Sequence, residues 1–198
     1  MKKTILVLAA ISFASSARAE DMVSPSNAKS DEQKAAHLHY DNGAALQDKG
    51  ELQAAVAEFK LAVASDKSLA EAHEKLGVIY QRQQDLYSKS LQTRLADEMK
   101  QQALEELKVA AQLMPENAIY LCRYAVALHS VGRRADAIKY YRRAIKFDPS
   151  FSEAYSGLYQ ALTFLGRGTE AKEILKRELS TPIELKLQLQ GDGGPRLY

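Results

Sequence analysis

The side chains best equipped for chemistry in this sequence are four histidines, one cysteine and a cluster of cations. His37, His39, His73 and His129 carry rings that titrate near neutral pH and can ligate metals. None stands in a His-Glu-x-x-His pattern and no cysteine pair accompanies them, so the spacing that presents two ring nitrogens to one zinc ion is missing. Cys122 is the only thiol and cannot form an internal disulfide. Arg123 beside it would favour the thiolate, but no base is placed with it. There is no Gly-x-Ser-x-Gly elbow, and Gly191-Asp192-Gly193-Gly194 lacks the lysine and flanking elements of a phosphate loop. The sequence therefore points to no catalytic residue, no metal and no cofactor. Lys139, Arg142, Arg143 and Lys146 follow the spacing i, i+3, i+4, i+7, which puts four cations on one helical face, with Arg133 and Arg134 just ahead. That basic stripe is either a solvated face or a surface for a lipid headgroup, glycan or acidic partner.

These residues must be positioned by helices, because a helical pattern recurs with a period of 34 residues. Residues 118–151 are its clearest copy, with Ala125, Leu128, Ala137, Tyr141, Ala144 and Pro149 at regular offsets. Residues 36–69 repeat it with Gly43, Leu46, Ala55, Phe59 and Ala62. Residues 70–117 carry Leu76, Gly77 and Tyr80, then Ala103, Leu107, Ala110 and Pro115. Residues 152–179 carry Leu158, Leu162, Ala171 and Leu175, with Tyr159 at the small-residue position and Gly157 two places earlier. Small residues let paired helices approach and large ones fill the gaps beside them. Gly50, Gly132 and Gly166 are placed to end the first helix of a pair. Pro115 and Pro149 are placed to stop the second. Ser30-x-x-Gln33, Ser68-x-x-Glu71 and Ser150-x-x-Glu153 have capping-box spacing and predict helix starts, the first near Asp31. His39 and His73 share one repeat position, usual for a large packing residue, and read as core or rim histidines.

A fixed period of this length is the mark of a repeat array, and these units resemble tetratricopeptide repeats over about residues 36–179. The resemblance implies an all-α, right-handed superhelical solenoid of about four helix-turn-helix units, whose first helices line a concave groove that binds peptides or proteins. It places Tyr40, Gln47, Glu74, Val78, Gln81, Ile119, Cys122, Val126, His129, Gln160 and Phe164 on that groove, with Glu71 and Glu153 among its carboxylates. Chaperone-binding members clamp a C-terminal carboxylate with lysines and asparagines. The matching positions here hold Tyr40, Ala44, Lys75, Ile119 and Arg123, and only Arg123 agrees. A neutral or partly apolar protein segment fits the groove better.

The array is interrupted once. A regular unit needs three residues between Asp85 and Ala103, and this chain has 17. No glycine or proline occurs from Val78 to Met114, so the 14 extra residues should be helical. Leu91, Leu95 and Met99 recur every four residues as a helical stripe. Split evenly, the insertion adds seven residues to each helix of the pair, about 10 Å at 1.5 Å per residue, with a turn near Ser90–Arg94. A normal turn followed by one long second helix is the alternative. In both cases a spur projects, and Leu91, Leu95 and Met99 are candidates for docking a partner or a second copy of the chain.

The ends read differently. Lys2 and Lys3, the apolar run Thr4–Ala14 and Ala17-Arg18-Ala19 have the grammar of a secretory signal peptide cleaved after Ala19. The run is too short to span a bilayer, which takes ~20 residues, and nothing later is apolar for long enough. A periplasmic location in a bacterium follows as an expectation. Removing Lys2, Lys3 and Arg18 takes the net charge from +2 to −1, which leaves no whole-protein case for nucleic acid. Residues 20–30 read as a flexible lead-in. In the tail, 180–198, Thr181-Pro182-x-Glu184 suggests a helix start. Ile183, Leu185, Leu187 and Leu189 instead alternate like a strand. A short helix, an added strand and disorder all stay open.

The reading that follows is a non-enzymatic protein-binding scaffold in the periplasm, supporting assembly of a secretion, pilus or polysaccharide-export complex. The second is an accessory protein holding cell wall or glycan through the basic stripe.

Overall fold

A computed structural model describes residues 25–180 of the chain, with side-chain surroundings over 30–177. Among the described residues eight α-helices follow one another: α1 (Pro25–Asp48), α2 (Leu52–Ser65), α3 (Ala70–Lys89), α4 (Thr93–Leu113), α5 (Ala118–Ser130), α6 (Arg134–Phe147), α7 (Ser152–Phe164) and α8 (Gly168–Ser180). They form four antiparallel pairs, α1/α2 to α7/α8, and each pair packs on the next through its second helix. The first helices also touch across units, α3 on α5 and α5 on α7. α3, α5 and α7 thus make a continuous layer, and α2, α4 and α6 each pack against the first helix of the next pair.

The small-and-large rule acts at measurable positions. A Cβ on Gly43 would stand 2.8 Å from Phe59, and one on Gly77 would stand 2.4 Å from Leu107. Both glycines let the large residue of the second helix lie against the backbone of the first. Phe59 and Leu107 are fully buried as a result, each contributing about 1.5–3 kcal/mol of apolar burial. Ala55, Ala62, Ala110, Ala137 and Ala144 are likewise fully buried where the helices approach most closely. In the third unit Ala125 replaces the glycine, and the large residue Tyr141 reaches into the fourth unit. A Cβ on Gly157 would stand 2.4 Å from the Tyr141 ring. The displaced glycine of unit four is the socket for unit three.

The turns follow the glycines. Gly50, Gly132 and Gly166 take φ of +79°, +84° and +74°. Each donates its N–H three residues back while the next residue donates five residues back, the Schellman closure of a helix end. The elongated pair closes in the same way without a glycine. Leu91 has φ +59°, its N–H bonds Ser88 O and the N–H of Gln92 bonds Tyr87 O. A leucine in this conformation costs about 1–2 kcal/mol.

The insertion is shared evenly between the two helices. α3 and α4 have 20 and 21 residues against 13 and 14 in α5 and α6, seven more in each. The turn falls at 90–92 and excludes the single long second helix.

Three expectations at helix starts are corrected. α1 begins at Pro25, not near Asp31, so residues 25–30 of the expected lead-in are helical. Proline is pre-set for a first helical turn, and no breaker follows it before Gly43. Ser30 therefore lies inside a helix and caps nothing. Ser68 and Ser150 do not form capping boxes. Their N–H and Oγ groups both donate to the preceding Asp66 and Asp148 carboxylates at 2.8 and 2.6 Å, and α3 and α7 start without a side-chain cap. The aspartate two residues back is the nearer acceptor. The expected signal peptide and the tail 181–198 lie outside the described residues.

Candidate functional site: the inner face and the spur

The expected groove residues all lie on the first helices of the four pairs, with very different exposures. Tyr40, Gln47, Val78, Gln81, Ile119 and His129 are half-buried, and Val126, Gln160 and Phe164 are exposed. Glu74 and Cys122 are buried, at 6% and 4% exposure.

Glu74 is buried because it is paired. Its carboxylate lies 2.9 Å from Arg123 Nε and 4.0 Å from Lys75 Nζ. This ties α3 to α5 and compensates a charge that would otherwise be costly to bury. Glu71 and Tyr120 complete the cluster. Burial first, and then the carboxylates of Glu74 and Glu71, raise the Tyr40 hydroxyl above its ordinary value. The same effects raise Tyr120, with Glu71 acting ahead of Glu74. Both tyrosines stay protonated and can donate hydrogen bonds. Tyr40 also packs its ring against Phe59 at 5.7 Å. Tyr120 was not among the expected groove residues, because its repeat position lies one step off the usual groove face. Only the carboxylates it meets from α3 reveal it.

Cys122 is not a reactive site. Burial pushes its thiol up to about 12, Glu153 adds to this, and Arg123 opposes it weakly. It belongs to the core around Leu121, Ala125 and Tyr155. At the far end, the Arg134 guanidinium stacks on Phe164 at 3.5 Å. Burial and the Arg134 charge hold His129 below the usual histidine range. The inner face thus offers protonated tyrosines, a carboxylate and apolar patches. Its one clamp-like cation, Arg123, is already paired.

Two of the other histidines, His39 and His73, pair with carboxylates, while His37 is exposed. His39 Nδ1 lies 2.8 Å from Glu58, and His73 Nδ1 lies 2.6 Å from Glu106. His73 Nε2 meets Lys67 O at 3.2 Å. The same link between first and second helix recurs in units one and two. Among the described residues no three His, Cys, Asp or Glu side chains converge as a metal site.

The spur stripe is divided. Leu91 is 85% exposed at the tip, with Leu86 at 56% and Leu95 at 37%. Met99 does not join them: it packs against the core of Tyr80, Phe59 and Ala103. Ala96 and Ala103, on the same helix as Met99, are buried as well.

The basic stripe is largely engaged within the chain. Lys139 pairs with Asp136 at 3.1 Å, Arg142 with Glu170 of α8, and Arg143 donates to Pro115 O at 3.0 Å while lying over Tyr140. Lys146 lies over the Phe147 ring at 5.8 Å.

Comparison with known proteins agrees with this geometry. Residues 43–84 match the family model described as TPR repeat, and residues 118–151 match the one described as tetratricopeptide repeat. A curated relative, the small glutamine-rich tetratricopeptide repeat-containing protein 2 of Mycosarcoma maydis, is 36% identical over 75 residues. The match covers 38% of this chain and spans about a fifth (21%) of the relative's length. Among solved structures, MamA is similar at 24% identity and TM-score 0.61, over 82% of this chain and 84% of that one. The first TPR of Spaghetti (RPAP3), bound to the HSP90 peptide SRMEEVD, is similar at 16% identity and TM-score 0.57, over 68% and 95% of the two chains. These structural likenesses carry the fold: an all-α solenoid of paired helices.

Proposed function

Because the chain belongs to the tetratricopeptide-repeat family, we propose that it is a non-enzymatic protein-binding scaffold, exported to the bacterial periplasm, that supports assembly of an envelope complex such as a secretion, pilus or polysaccharide-export machine. The observation that carries the binding reading is the inner face itself. Tyr40, Glu71, Tyr120, Val126 and Phe164 leave donors, a carboxylate and apolar surface unburied along one continuous layer of helices, while the core lies between the layers. That mixture suits an extended segment with neutral or apolar side chains. The Arg123–Glu74 pair removes the cation that a C-terminal carboxylate would need. The export reading rests on the residues before Glu20, and the choice of complex on that location.

The reading in which the basic stripe holds cell wall or glycan draws less support, because Asp136, Glu170 and the Pro115 carbonyl already engage three of its cations.

The test is in-cell cross-linking combined with fractionation. The scaffold reading expects a chain beginning at Glu20 in the periplasmic fraction, joined to one or a few envelope proteins. The adducts should be lost in a Tyr120→Ala, Val126→Asp variant that keeps its melting temperature. An unprocessed cytoplasmic chain would overturn the location, and adducts indifferent to the double substitution would overturn the groove.

A further inference from the structure

The basic stripe of α6 borders a cavity that shares no residue with the expected groove. Lys108, Ala111 and Gln112 of α4, Tyr124 of α5, and Tyr140 and Arg143 of α6 line a space of about 240 Å³. Its wall is aromatic and apolar. Tyr124 is 5% exposed, its ring meets that of Tyr140 edge to face at 4.6 Å, and Ala111 is buried. Its rim is cationic. Lys108, Gln112 and Arg143 are exposed, and no acid is among the lining residues. Arg143 donates to Pro115 O at 3.0 Å and lies 5.4 Å from the centre of the Tyr140 ring. These contacts hold the guanidinium at the mouth, and neither a carbonyl nor a ring neutralises its charge. Lys108 has no ion-pair partner among the described residues.

We propose that this cavity binds a carboxylate carried on a compact apolar body. Lys108 and Arg143 take the carboxylate at the mouth, and the body lies against Tyr124 and Tyr140.

The neighbouring acids do not supply that carboxylate. Glu105 lines a separate cleft along α4 with Arg94 and Gln101. Glu106 is held by His73 at 2.6 Å. Asp136 is held by Arg133 at 2.9 Å and Lys139 at 3.1 Å. Glu116, next to Pro115, is exposed and does not line the cavity. The lining also selects the ligand class. A guanidinium presents paired N–H donors that match a carboxylate, and a second cation adds another charge-assisted bond. Two rings set edge to face give an aromatic body favourable stacking and edge contacts. The volume is below the roughly 300–1,000 Å³ of pockets for drug-sized ligands, so it suits one group of side-chain size. A free small acid and the C-terminal residue of a peptide share this chemistry.

The experiment titrates the 15N-labelled full chain with N-acetylphenylalanine and follows its backbone amide signals. Saturable shifts are expected around residues 108–115, 124 and 140–143, below about 10 mM ligand. N-acetylphenylalaninamide, which lacks the carboxylate, should bind about tenfold more weakly. So should N-acetylphenylalanine to a Lys108→Glu variant, whose melting temperature should be unchanged because the side chain is exposed and unpaired. An acetylated Gly-Gly-Phe peptide that binds more tightly than N-acetylphenylalanine would identify a protein C-terminus as the source, and one that binds more weakly a free acid; both results support the site. No saturable shift, shifts centred elsewhere, or equal binding of the amide would overturn the proposal. So would inorganic phosphate that competes as well as N-acetylphenylalanine, since the apolar wall would then select nothing.

Discussion

The Arg123 guanidinium lies 2.9 Å from the Glu74 carboxylate, across the boundary between the second and third units. In a solenoid whose units meet mainly through apolar surface, this ion pair fixes α3 against α5 with a carboxylate that is almost wholly enclosed. Removing one partner strands the other. Arg123→Ala should cost about 3 kcal/mol, the low end for breaking a buried pair, and a smaller loss on chemical denaturation would show that Glu74 finds water or Lys75 instead.

The same pair governs ligand choice. Arg123 is the one residue here that agrees with a carboxylate clamp, and it is already used. Titration with SRMEEVD, the peptide bound in one structurally similar protein, should give no saturable binding at micromolar concentrations. Tight binding abolished by Arg123→Ala would mean that the pair opens for a ligand.

The junction of units three and four rests on Tyr141 against Gly157. A methyl group at Gly157 would stand 2.4 Å from Tyr141 Cε1, so Gly157→Ala should destabilise by about 1–3 kcal/mol through overpacking. Gly157→Ala combined with Tyr141→Leu should recover part of that loss. A single variant as stable as the parent would place the ring elsewhere. Gly50 and Gly166 have open space around them, so alanine there meets only backbone strain.

Cys122 should resist thiol reagents at pH 8 in the folded chain and react on unfolding. The stability it contributes has a definite sign. Its folded value of about 12 lies above the ordinary 9.0, so the unfolded chain releases the thiol proton first. The contribution is complete below pH 9 and is lost as pH rises towards 12. The denaturation midpoint should fall over that range, and fall less steeply in Cys122→Ala. Rapid labelling of folded protein at pH 8 would contradict the burial.

Leu95 and Met99 should separate on substitution. Met99→Asp places a charge against the Tyr80 and Ala103 core and should cost about 1–3 kcal/mol. Leu95→Asp, on a more exposed site, should cost well under 1 kcal/mol. Equal losses would mean that both residues pack.

The sequence disclosed most of the architecture because repeats write their rules locally. Glycines at regular offsets mark three turns, prolines mark two helix ends, and the absence of both from Val78 to Met114 shows that the insertion is helical. What stayed hidden depends on residues far apart in the chain. Glu106 is 33 residues from His73, and Glu170 is 28 from Arg142, so neither the paired histidines nor the engaged basic stripe could be read from spacing. Tyr120 was passed over because position within a helix does not show which neighbours face it. Leu91 escaped notice for a different reason: leucine carries no turn signal, and only the backbone reveals that it occupies a glycine's place.

The central claim is that the inner face binds a protein segment, and site-specific photo-cross-linking in intact cells tests it most directly. A photoreactive residue at exposed Val126, on α5, should yield a discrete adduct with another protein. The same residue at exposed Lys60, on α2, should not. Adducts of equal yield from both positions, or none from Val126, would contradict the account.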